Sequence, residues 1–234
     1  PKHTKRMAVF VAGADESSSA ETGDFYYGGF VAPQREWDEF FVPAWEEHVL
    51  KAPPAIQYLH VTDLKSVRGR QNLGLTDSQA GRKLDEAARV IRCQGALYPI
   101  TAHLNEAYWR EAVQAAKVSM FVTTPGGVAR KRFEPDYYCF VRFALWALMY
   151  AHDEGAEQLV ILVEENRPIT DHIRRFRNSI SKGLVKRGRD DLAALLGEVI
   201  PVSKKYVPVQ AADQTIDELI EMFKASDDAG DDDP

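Results

Sequence analysis

Gln158 to Val163 (QLVILV) is an almost unbroken apolar run that stops at two adjacent acids, Glu164 and Glu165. A run this short and this apolar is expected for a strand covered on both faces. It follows a segment from Pro135 to about Asp153 (PDYYCFVRFALWALMYAHD) that is apolar on nearly every side. Proline suits the first position of a helix, and a helix apolar all round belongs in an interior. A buried helix that ends at Gly155 and feeds a doubly covered strand requires layered α/β packing.

A second apolar run ends the same way. Met7, Val9, Phe10 and Val11 lead to Asp15 and Glu16, a small polar loop follows, and Phe25 to Ala32 resumes with Gly28-Gly29 inside it. This reads as two antiparallel strands with an acid ending the first. Acids are depleted in strands, so this pair marks either a turn or a site.

Between these runs the spacing predicts further elements. Gln34 to Lys51 is helical, with Trp37, Phe40, Phe41 and Trp45 on one face and a kink at Pro43. Ile56 to Leu64, containing His60 and Asp63, reads as extended, and Arg68 to Gly74 as a loop. Thr76 and Gln79 form a capping-box pattern for a helix running to about Gln94. Ala96 to His103 is a strand whose Pro99 suggests an edge. Asn105 to Lys117 is a short helix, Val118 to Thr123 a brief apolar run, and Thr124 to Glu134 a basic, turn-rich loop. After Pro168 come a basic amphipathic helix to about Arg187, a short helix from Asp190 to Leu196, a strand from Val199 to Val202 and a last helix from Val209 to Phe223. There is no internal repeat and no domain-separating linker. The expectation is one domain over 1–226 and an acidic, disordered tail over 227–234.

Two cysteines make no disulfide framework and no cysteine-type zinc site. No apolar run approaches the about 20 residues that span a bilayer, and the basic start carries no signal-peptide pattern, so a cytoplasmic protein is expected. The net charge is −6, and −1 without Asp227, Asp228, Asp231, Asp232 and Asp233. Global charge therefore does not announce nucleic acid. Local clusters do exist: Arg130, Lys131 and Arg132, and a second that begins with Arg174 and Arg175.

Asp15, Glu164 and Asp213 stand at comparable places: two at strand ends, one in the first turns of the final helix. Neighbouring strands lie about 5 Å apart, so the strand acids would repel each other unless a divalent cation lay between them. Carboxylate oxygens suit magnesium or manganese, and such ions activate water and stabilise the leaving oxygen of a phosphodiester.

With those residues in place, the chain resembles the ribonuclease-H-like superfamily. There an acid ends the first strand, a glycine-containing second strand follows, a second acid ends the fourth strand, and a third lies on the C-terminal helix in an Ala-Asp context. Asp15, Gly28-Gly29, Glu164 and Ala212-Asp213 follow that order. More narrowly, it is similar to the family called domain of unknown function 3800. The shared features are Asp15-Glu16-Ser17, the glycine pair, His60-x-x-Asp63-Leu64 and Gln210-Ala211-Ala212-Asp213. The resemblance implies a mixed five-stranded sheet flanked by helices, with helical insertions, and a nuclease-type site. Asp15, Glu164 and Asp213 would hold Mg2+ or Mn2+ with Glu16 as auxiliary ligand, His60 would join the catalytic set, and Asp63 would line the site. Arg130, Lys131, Arg132, Arg174 and Arg175 are candidates for phosphate contacts with DNA or RNA. The other reading is a catalytically inactive binding or scaffold protein on the same fold. Ser18 stands where the family usually has Gly, and Glu164 where it commonly has Asp.

Overall fold

The computed structural model describes residues 8–19, 22–116, 120–124, 127–131, 135–165 and 177–230, with the backbone alone at 19, 113–116, 120–131, 136 and 223–230 of these. Its centre is a five-stranded sheet in the order β3-β2-β1-β6-β7: β1 (Val9–Ser19), β2 (Asp24–Pro33), β3 (Tyr98–Asn105), β6 (Gln158–Glu164) and β7 (Leu196–Val202). β2 runs antiparallel to β1 and β3, whereas β1, β6 and β7 are parallel. The chain is α/β with a mixed sheet flanked by helices, as the layered pattern demanded. β3 is an edge strand, which accommodates Pro99 because a proline cannot donate to a second neighbour.

Side-chain alternation sorts the sheet into two faces. Phe10, Ala12 and Ala14 of β1 and Leu159, Ile161 and Val163 of β6 pack under α6 (Pro135–Asp153), whose Phe140, Phe143, Ala144, Ala147 and Leu148 are buried. α7 (177–185) and α8 (Asp190–Leu195) close this core through Ile180, Leu184, Leu192 and Leu195. α6 is less enclosed than its composition predicts, because Trp146 and Met149 are exposed on its outer side.

On the other face lie α1 (residues 36–50), α4 (Asp77–Arg92) and the start of α9 (Val207–Gly230). In α1 two π-type turns, Glu36–Phe41 and Glu46–Leu50, flank the α-helical Val42–Trp45. The disturbance expected at Pro43 takes that form. Wide turns slow the rotation per residue, so residues four apart stay in line. Trp37, Phe41, Trp45 and Val49 are the buried set, and Phe40 is turned out to solvent. Thr76 and Gln79 form the capping box at the head of α4, as predicted.

Several expectations are corrected. β1 does not stop at Asp15 but continues to Ser19, paired with β2 as far as Asp24. Residues expected to be extended or looped form α2 (Val61–Lys65) and α3 (Val67–Leu73). The predicted basic loop contains half of a separate antiparallel ribbon, β4 (Met120–Thr124) with β5 (Gly127–Lys131), reached by way of α5 (Glu106–Ala116). The backbone of α9 continues as helix to Gly230, past the predicted start of the tail. No helix among the described residues is long and apolar enough to cross a membrane.

Candidate functional site

The site is built where α9 crosses the sheet. Two glycines let it approach. A Cβ on Gly13 would lie 2.5 Å from Pro208, and one on Gly28 would meet Ile216 at 3.2 Å and Thr101 at 3.1 Å. α9 meets this surface with Ala211 and Ala212, both fully buried. At Gly13 the added Cβ would also stand 2.5 Å from Pro208 O, so the backbones of β1 and α9 come closer there than any side chain would permit, while at Gly28 the missing side chain makes room for Ile216.

Asp15 shares its parity along β1 with Val11, not with the Phe10-Ala12-Ala14 set, so it faces α9. Its partner in β2 is Gly28, which has no side chain to fill the space beside it. Asp15 is only 6% exposed. The parallel pairing of β1 with β6 ends at Ala14 and Val163, and Asp15 and Glu164 are the next residue of each strand. Glu164 is half-buried and pairs with Val202 of β7. Asp213 reaches the same place from α9.

Electrostatics links these three acids. Burial pushes the Asp15 carboxyl well above the usual range, and Asp213 and Glu164 push it further, against a hydrogen bond from the backbone of Glu16. Asp213 is also raised, first by burial. The Val61 N–H and His60 relieve it, while Glu164 and Asp217 add to the repulsion. Asp15, Glu164 and Asp213 thus form one electrostatic unit drawn from three distant parts of the chain. Glu16 adds least to the repulsion on Asp15, and its partner in β2 is Tyr27, which belongs to the α6-side core, so alternation sends its side chain to the opposite face.

α9 also positions the segment around His60. Gln210 Oε1 accepts from Leu59 N at 2.9 Å and from the buried Trp45 Nε1 at 3.0 Å, while its Nε2 donates to Lys205 O at 2.9 Å. Asp213 Oδ2 accepts from Val61 N at 2.8 Å. The amides on both sides of His60 are therefore held by side chains of one helix. Val61 opens α2, whose N-cap has no side-chain cap bond, so Asp213 satisfies an orphan helix amide from 152 residues away.

His60 Nδ1 lies 3.2 Å from Asp63 Oδ2, which Tyr58 Oη also approaches at 3.3 Å. Lys204 Nζ stands 3.4 Å from both Asp63 Oδ2 and His60 Nδ1, and 4.9 Å from the centre of the Tyr58 ring. Asp63 is partly desolvated, which raises its carboxyl, but His60 and Lys204 outweigh that and hold it below its ordinary value. The predicted His60 and Asp63 thus lie beside Asp213, joined by two residues that sequence reasoning missed, Tyr58 and Lys204. Asp217 was missed too, although its place one turn beyond Asp213 was a usable signal. It pairs with Lys65 at 2.8 Å.

Arg132, Arg174 and Arg175 lie outside the described residues, and Arg130 and Lys131 are described only as backbone in β5. Further along the second cluster, Arg177 donates to Gly197 O at 2.6 Å, Arg187 to Gly183 O at 3.1 Å, and Arg189 pairs with Asp191 at 3.0 Å. Those three cations serve the fold.

Among the described residues no three histidine, cysteine or acidic side chains are gathered closely enough to hold an ion as they stand. The donor set itself suits a hard divalent cation in chemistry: oxygen ligands only, one nearly fully buried, with Asp213 and Glu164 raising the proton affinity of Asp15, and Glu164 that of Asp213. No protein-family model matches the chain, and no curated protein matches it significantly.

Proposed function

We propose that the chain is a ribonuclease-H-like, divalent-metal-dependent phosphodiester hydrolase acting on nucleic acid, related to the domain of unknown function 3800. The observation that carries this reading is the buried Asp15 with Asp213 and Glu164 acting on it. The fold supports it: an acid where the parallel pairing of the first strand ends, a second ending the fourth strand of the sheet in chain order, and a third on the final helix.

Asp15, Glu164 and Asp213 would hold Mg2+ or Mn2+. When bound, such ions supply charge stabilisation and an activated water. The chain's own residues do the rest. The Gly13 and Gly28 contacts fix the distance between Asp213 and the strand acids. Gln210 and Asp213 fix the backbone on both sides of His60. Asp63 orients the imidazole through Nδ1, leaving its other nitrogen free of that role.

A manganese titration followed by thermal melting tests the metal site. The wild type is expected to melt several degrees higher in millimolar Mn2+, and Asp15→Asn to show no such rise. No manganese effect on the wild type would overturn the reading. One observation favours the second reading, an inactive binding protein: the acids are not already gathered around a point. A manganese shift without cleavage of any DNA or RNA substrate would select it.

A further inference from the structure

Lys204 leaves the sheet at the edge where the acids stand. β7 ends at Val202, the partner of Glu164, and Val202 O accepts from Glu165 N at 2.7 Å. Two residues later the Lys204 ammonium hangs between Asp63 and His60 at 3.4 Å from each, over the Tyr58 ring, with its side chain 36% exposed. These contacts are long for charge-assisted bonds, which run nearer 2.7–2.9 Å. Other cations nearby are committed more tightly. Lys65 is 2.8 Å from Asp217, and Arg70 is 2.6 Å from Asp77 with Nη1 also on Lys65 O at 2.5 Å. Lys204 is therefore oriented and solvent-accessible, held by long contacts and not by a short ion pair.

We propose that Lys204 is a substrate-contacting residue, gripping a non-bridging phosphate oxygen of a nucleic-acid backbone laid across Asp15, Glu164 and Asp213. This rests on the phosphodiesterase reading above. Three nearby acids repel a polyanion, so a cation fixed beside them sets where along the backbone the chain can approach. Asp63, Tyr58 and the pinned His60 hold the ammonium in place without neutralising it fully. A point charge on a flexible stem suits a phosphate oxygen.

The test separates this inference from the metal reading. Binding of a fluorophore-labelled single-stranded oligonucleotide, as DNA and as RNA of the same sequence, is measured over a salt series without divalent metal. Every protein in this binding assay carries Asp15→Asn, so neither metal nor cleavage enters. Adding Lys204→Met is expected to weaken binding several-fold. It should also make the plot of log affinity against log salt shallower by about 0.7, one phosphate's worth on a single strand. Lys204→Arg should keep the slope. Lys204→Met alone should retain the manganese shift in melting, showing that the fold and the acids are intact. Equal affinities and slopes for Asp15→Asn with and without Lys204→Met would overturn the inference, and so would an absence of binding by Asp15→Asn itself. The metal reading fails on a different result, a wild type that does not respond to manganese.

Discussion

α6 and α9 lie on opposite faces of the same sheet and meet it in opposite ways. α6 presses Phe140, Phe143 and Leu148 into a buried apolar cluster with residues of β1, β2 and β6. α9 presents Pro208 and Ile216 to two glycines and carries Gln210, Asp213 and Gln214, all buried or nearly so. One contact maximises the apolar area removed from water, which is the main source of stability. The other gives up that area for close backbone approach, and spends the closeness on bringing polar groups together in a desolvated place. The same strand serves both helices, since alternate residues of β1 belong to different chemistries.

The largest break in this comparison is Phe143→Ala. It removes a fully buried ring from the α6 side and is expected to cost about 3–5 kcal/mol in denaturant unfolding. It should leave the manganese response of the surviving folded protein in place. Gly13→Ala comes next, at about 2 kcal/mol, because the added Cβ would stand 2.5 Å from Pro208 and α9 must shift. Here the manganese response is expected to vanish along with the stability lost. If Gly13→Ala is destabilised yet still responds fully to manganese, close approach is not what assembles the acids.

The smallest effect has the opposite sign. The folded protein raises the Asp15 carboxyl above its unfolded value, chiefly through burial. Such a group contributes stability that is complete below the unfolded carboxylate value, near pH 4, and is lost as pH rises through the folded one. Asp15→Asn should therefore flatten that part of the stability profile. At neutral pH without metal it should melt higher than the wild type, by about 2–4 °C for each 1 kcal/mol gained. A lower melting point at pH 7 would mean that Asp15 holds the fold together and is not a strained site residue.

The α6 side of the molecule was legible in the sequence because its signals are local. Pro135 at the helix start, Gly155 after its end and the apolar run of β6 each announce themselves within a few residues. The capping box of α4 is equally self-contained. On the α9 side, the order of Asp15, Glu164 and Asp213 was readable, and so was the segment that carries His60 and Asp63. What surrounds them was not. α2 is completed by a carboxylate from the far end of the chain, so its own sequence lacks a start signal. β1 runs on through two acids because β2 pairs with it, overriding strand propensity. Lys204 sits in what reads as a plain linker, and only the sheet order brings it to the acids. The exposed Trp146 and Met149 show the converse error: composition alone overstates how deeply α6 is buried.

The bond from Val61 N to Asp213 Oδ2 ties two accounts into one. That oxygen closes the first turn of α2, and the same carboxylate is a proposed ligand. With Oδ2 on the helix, Oδ1 of the same carboxylate is the atom left to face an ion. The centre and the segment carrying His60 and Asp63 thus share one side chain, and a change at the Val61 amide would be felt at both.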